Sequence, residues 1–216
     1  MKFIILILSC ILLISCSSSK ELTKFDQATS HHQRIAIIPL QSTIKLKEKE
    51  KTNITESQLQ EMEVAQAKDV QDAIESYLID KDIRVSIQSA NMTNSKLKQK
   101  GIDLETISEQ DYTVLASHLE VDAIVAGEIE TEKPMDEKMA TGLDIAKDLE
   151  KSILGSSFGG RINTSTNKGY CKLNLYDGTT GDRLWSYNYE IELKTGSTTQ
   201  DMINVMMKKG AKTFPY

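Results

Sequence analysis

Cysteine is scarce in this chain: three residues in 216, at positions 10, 16 and 171. That number cannot build the disulfide framework of a small exported domain. Positive charge is not in excess either, with 26 Lys and Arg against 31 Asp and Glu, so the electrostatic footprint of a nucleic-acid binder is missing. No apolar run reaches the roughly 20 residues that a membrane-crossing helix needs. H-E-x-x-H, the P-loop and the dinucleotide fingerprint are all absent, so the sequence implies no cofactor and no metal.

What is present begins at the N-terminus. Lys2 precedes Phe3 to Ile14, which are Phe, Ile and Leu apart from Ser9 and Cys10, and the polar Ser17-Ser18-Ser19-Lys20 follows. A charged start, a short apolar middle and a polar stop make a secretory signal. It closes on Leu13-Ile14-Ser15-Cys16, a pattern similar to the bacterial lipobox, in which the Cys is acylated and becomes the mature N-terminus. Cys10 after Ile7-Leu8-Ser9 is the weaker match, since cutting there leaves a stub of apolar residues. Removing residues 1–15 leaves 201 residues with 25 basic and 31 acidic side chains, a net charge of −6. With Cys16 acylated and Cys10 discarded, Cys171 is the sole remaining thiol and no internal disulfide can form. A core must hold the fold.

Residues 17–33 lack helical and strand periodicity and read as a tether whose fully extended reach is at most about 60 Å. Arg34-Ile35-Ala36-Ile37-Ile38-Pro39-Leu40 is a nearly continuous apolar run, suited to a strand covered on both faces and ended by Pro39. The charged stretch from Lys45 to Lys51 then leads to an amphipathic helix carrying Met62, Ala65, Val70, Ala73, Ile74, Tyr77 and Leu78 on one side. A second strand is expected at Ile83–Ile87, a short helix from an Asn94 cap to Lys100 with Gly101 ending it, and a helix opening at Ser108–Asp111 with Tyr112, Leu115, Ala116 and Leu119 inward. Asp122–Ile129 is the clearest strand, apolar on both faces at first and alternating later, as a central strand does on leaving the core.

Pro134 to Lys168 reads as an insertion with a helix near Thr141–Leu154 and a glycine-rich and polar loop after it. Two strands joined by Asp177-Gly178-Thr179-Thr180-Gly181-Asp182 follow as a hairpin. Cys171, Leu173 and Leu175 share a face of the first strand; Trp185, Tyr187, Tyr189, Ile191 and Leu193 share one of the second. A closing helix begins near Ser197–Thr199 and carries Met202, Ile203, Val205, Met206 and Met207.

Chemistry-bearing candidates are few. Gly155-Ser156-Ser157-Phe158-Gly159 matches the form of a nucleophile elbow, but an elbow needs a strand before the Ser and a helix after it. Here the pattern is the reverse, and His31, His32 and His118 all precede Ser157, against the order of an α/β-hydrolase. His31 and His32 are neighbours in an extended segment, where consecutive side chains diverge, and His118 reads as a boundary residue. Cys171 lies on an apolar strand face and reads as an inert thiol. The stripe Trp185, Tyr187 and Tyr189 fits core packing under a helix, or a groove that binds a partner.

Taken in order, Arg34–Leu40, Val121–Glu128, Leu173–Asp177 and Thr180–Ser186, with the helices between them, resemble the bacterial envelope lipoproteins related to CsgG, LpoB and the N-terminal domain of TolB. The resemblance spans most of residues 34–214. It implies an α/β (α+β) fold in which a compact mixed sheet is packed by helices and finished by a hairpin and a helix. It also implies residues 34–216 as one domain with an insertion at about 134–168, an envelope location, and binding or assembly without catalysis. A CsgG-like pore needs two membrane-crossing hairpins, which residues 134–168 do not offer, and the tether is too short for LpoB-like reach across the envelope. Ser17 stands where enteric inner-membrane lipoproteins carry Asp, which favours the outer membrane. The expectation is a lipid-anchored, periplasm-facing module that binds an envelope protein and not nucleic acid. A structural homo-oligomer of a CsgG-like secretion assembly is the alternative, and an exported serine esterase the remote one.

Overall fold

The computed structural model describes residues 24–46, 51, 54–103, 106–133, 168–193 and 197–216. The helix expected near Thr141–Leu154, the Ser157 loop and Cys16 itself lie outside them. The chain divides into two compact units, Met1–His32 and Gln33–Tyr216. In the first, residues 24–28 form a helical turn, closed by Thr29, whose N–H and hydroxyl both donate to the Phe25 carbonyl at 2.9 and 2.8 Å. This stretch is therefore not wholly without helical structure, as its composition suggested; a hydroxyl that bonds back four residues supplies the local hydrogen bonding.

The second unit is a mixed six-stranded sheet with helices on both faces. Its elements are β1 (Arg34–Ile37), β2 (Gln41–Leu46), α1 (Glu56–Asp80), β3 (Ser86–Gln88), α2 (Ala90–Gln99), α3 (Tyr112–Leu119), β4 (Ala123–Lys133), β5 (Lys168–Asp177), β6 (Arg183–Glu192) and α4 (Thr199–Thr213). The strand order is β3-β1-β4-β5-β6, with β2 also on β4. β1 runs parallel to β3 and β4, and β2 parallel to the distal half of β4, from Glu128 to Lys133. β4 to β5 and β5 to β6 are antiparallel.

β4 is the central strand that its sequence announces. Ala123, Ile124, Val125 and Ala126 are all buried, after which exposed Glu128 and buried Ile129 alternate. One face of the sheet packs on α2 and α3 through Ala36, Ile38, Leu97, Leu115, Leu119, Ile124 and Ala126. The opposite face packs on α1 and α4: the Gln71 amide on α1 donates to the Ile37 carbonyl at 2.7 Å, and a Cβ on Gly210 of α4 would lie 2.9 Å from Leu173 Cδ1.

Element boundaries follow local chemistry. α1 has a full capping box, Thr55 with Gln58, and α4 has one from Thr198 with Asp201, which satisfies otherwise orphaned N–H groups. Several expectations shift, among them the second strand, expected at Ile83–Ile87 and found as β3 at Ser86–Gln88. α2 is capped by Ser89 and not by Asn94; Asn94 instead exchanges hydrogen bonds with Gln71, while Gly101, at φ 67°, follows the helix as expected. α3 is capped by Asp111, with a 3-10 turn at Ile107–Glu109 before it. β2 occupies Gln41–Leu46, overlapping the start of the stretch expected to be a charged lead-in to α1.

Candidate functional site

The aromatic stripe is assembled by β6 and capped by α4. Strand periodicity puts Trp185, Tyr187 and Tyr189 on one face, opposite Leu175, Leu173 and Cys171 of β5. Their rings stack along the strand at 6.1 Å between successive centroids. α4 lies across them. The Tyr187 hydroxyl donates to the Met206 carbonyl at 3.3 Å, Lys209 sits 4.3 Å above the Tyr189 ring centre and bonds its hydroxyl, and Phe214 meets Trp185 edge-on at 5.2 Å. Burial first, and then the neighbouring Cys171 and Tyr189, raise the Tyr187 phenol well above its ordinary range. All three aromatics remain half-buried, so the helix covers their inner surfaces and leaves a rim at the edge of the sheet.

The other face of the same strands is charged. Glu128, Glu130 and Glu132 on β4 stand opposite Lys172, Tyr170 and Lys168 on β5, and these stand opposite Asn188, Glu190 and Glu192 on β6. On the far side of β4, Gln41, Thr43 and Lys45 complete the three rows. Lys45 pairs with Glu130 at 2.5 Å and Lys172 with Glu128 at 3.7 Å. The reading of β4 as a strand ending at Ile129 missed this face. Its signal was present as Glu128, Glu130 and Glu132 at every second position.

Near the opposite end of β4, Asp122 ties three segments together. Its carboxylate accepts from the N–H groups of Gln33 and Arg34 at 2.7 and 2.9 Å, its own N–H donates to the Arg34 carbonyl, and its carbonyl accepts from Gly178 N–H, both at 2.8 Å. The hairpin turn beside it is held by Asp177, whose Oδ1 accepts from Thr179 and Thr180 N–H at 2.8 and 2.7 Å. Gly181 takes the left-handed φ of 76° there.

The remaining candidates separate. Cys171 is buried, and burial followed by Glu128 pushes its thiol up to about 12, which keeps it protonated and unreactive. Among the described residues, the Nδ1 of half-buried His118 and the Oδ1 of buried Asn174 find no hydrogen-bond partner. The His31 and His32 rings do not diverge; they meet edge-on at 4.5 Å, because the chain turns here, with the His32 N–H donating to the Thr29 carbonyl at 3.1 Å. Among the described residues no helix is long and apolar enough to cross a membrane.

No family model matches the chain, and no curated protein does. Among solved structures it is similar to the lipoprotein GNA1162 from Neisseria meningitidis, at 14% identity and a TM-score of 0.47, over 83% of this chain and 96% of that one. It is also similar to the LpoB C-terminal domain from Salmonella enterica, at 8% and 0.39, over 81% and 94%. A third is the PelC dodecamer from Paraburkholderia phytofirmans, at 9% and 0.38, over 82% and 84%. All three scores are below 0.5.

Proposed function

We propose that this chain is a bacterial envelope lipoprotein, anchored by acyl groups on Cys16, whose domain over residues 34–216 binds an envelope protein and performs no catalysis itself. The observation that carries this reading is Leu13-Ile14-Ser15-Cys16 at the end of the apolar run. Residues 1–15 are then a cleaved signal and residues 16–33 the anchor and tether; Ser17 favours the outer membrane, and the domain faces the periplasm. The partner belongs to a cell-wall or secretion assembly close to the same membrane.

Reach supports a nearby partner. The helical turn at residues 24–28 rises about 1.5 Å per residue where extended chain gains about 3.5, so it takes about 10 Å from the full extension of about 60 Å. Cell fractionation with Cys16→Ser tests the anchor. The variant is expected in the soluble fraction; a variant that stays membrane-bound overturns the reading.

A further inference from the structure

The edges of the sheet are not alike. β3 has three residues, and on β2 the Ile44 N–H is taken by the Glu63 carboxylate of α1 at 2.8 Å. β6 is ten residues long and, among the described residues, pairs with β5 alone and has nothing bonded to its outward backbone groups. Such an edge is a template for another strand.

The charge pattern across the sheet points toward that edge. One row reads Lys45, Glu132, Lys168, Glu192, alternating in sign, and its neighbour reads Thr43, Glu130, Tyr170, Glu190. Both rows end on an exposed carboxylate. Opposite charges facing each other across strands stabilise pairing, and like charges oppose it. On the reverse face the half-buried Trp185, Tyr187 and Tyr189 offer an apolar rim along the same edge.

We propose that β6 accepts an extended basic segment of a partner protein as a seventh strand. Lys or Arg stands opposite Glu190 and Glu192, and apolar side chains at the intervening positions lie beside Trp185, Tyr187 and Tyr189. Main-chain hydrogen bonds supply affinity in this mode of recognition and alternate side chains supply selectivity. The proposal rests on the binding-module reading and names the chemistry of its partner.

A second copy of the chain fits less well. In the antiparallel two-fold register centred on Asn188, Glu190 meets Ser186 and Glu192 meets Arg183, which the irregularity beside Leu175 and Tyr176 places on the charged face opposite Tyr176. A second copy thus gives a cation to one of the two edge carboxylates, where a basic strand gives one to each.

The test uses the full acylated chain in detergent with a blocked peptide of about ten residues alternating Lys and Val, long enough to cover one strand. Comparison peptides alternate Glu and Val, or carry the same Lys and Val as two blocks. The alternating Lys peptide is expected to slow hydrogen exchange at the β6 amides that do not bond β5. The double variant Glu190→Lys/Glu192→Lys is expected to bind it about tenfold more weakly and to prefer the Glu peptide. Three results each overturn the proposal: no slowing at β6, equal binding of the block peptide, or β6 amides already protected in a concentration-dependent dimer without peptide. Membrane attachment is read separately, from Cys16→Ser, so failure at β6 is distinct from failure of the anchor.

Discussion

Tyr112 shows how single side chains tie stability to pH. Its ring stacks on Tyr176 at 4.0 Å between centroids, over the core beneath α2 and α3. Burial, then the charge and hydrogen bond of Tyr176, push its phenol up to about 12 from 10.0. The folded state therefore holds this proton more tightly than the unfolded chain. The stability it contributes is complete below about pH 10 and falls as pH rises from there to about 12. Cys171 acts in the same direction, with its thiol raised from 9.0 to about 12. Urea midpoints at about pH 9 and pH 11 should show this decline, and Tyr112→Phe should flatten part of it. A variant that declines as steeply as the parent chain would assign the alkaline loss to other groups.

At the scale of elements, backbone approach matters more than side-chain chemistry. A Cβ on Gly127 in β4 would lie 1.9 Å from the Lys172 carbonyl oxygen on β5, so Gly127→Ala must push two central strands apart. Among the described residues nothing lies within 4 Å of where a Cβ on Gly101 would stand, and its cost comes from its φ of 67°. Gly127→Ala is expected to cost about 3 kcal/mol or more, and Gly101→Ala about 1 kcal/mol. Equal shifts in the urea midpoint would refute that ranking. Much of this level was legible in the sequence. The apolar runs at Ile35–Ile38 and Ala123–Ala126, the turn chemistry of Asp177–Asp182 and the Thr198 cap all follow local rules. β2 was obscured because its Lys45 belongs equally to a charged run, although Ile44 and Leu46 alternate with Thr43 and Lys45. The packing of α4 across Trp185, Tyr187 and Tyr189 was legible as an apolar stripe. The closure of its inner surface by Lys209 and Phe214 was not, since the contacts that hold it join residues about 20 or more positions apart.

For the 33–216 unit as a whole, β4 is the shared member. It pairs with β1 and β2 along one side and with β5 along the other, and its alternate residues face the helical layers on both sides. The pairing of Ile35 with Ala123 and of Ile37 with Val125 closes a loop of nearly ninety residues. The entropy of that closure is recovered only when helices α1, α2 and α3 also pack. Loss of β4 therefore removes every interstrand pairing except β1 with β3 and β5 with β6. A short parallel pair and an isolated hairpin are each too small to persist alone. The expected behaviour is one cooperative opening, with the slowest native-state hydrogen exchange at Ala123–Ile129 and its β5 partners, and faster exchange toward Lys133 and in β2. Distinct opening free energies for the β1–α1–β3 segment and the β5–β6–α4 segment would show two independent halves. In that case β4 would be a boundary between them and not the element that joins them.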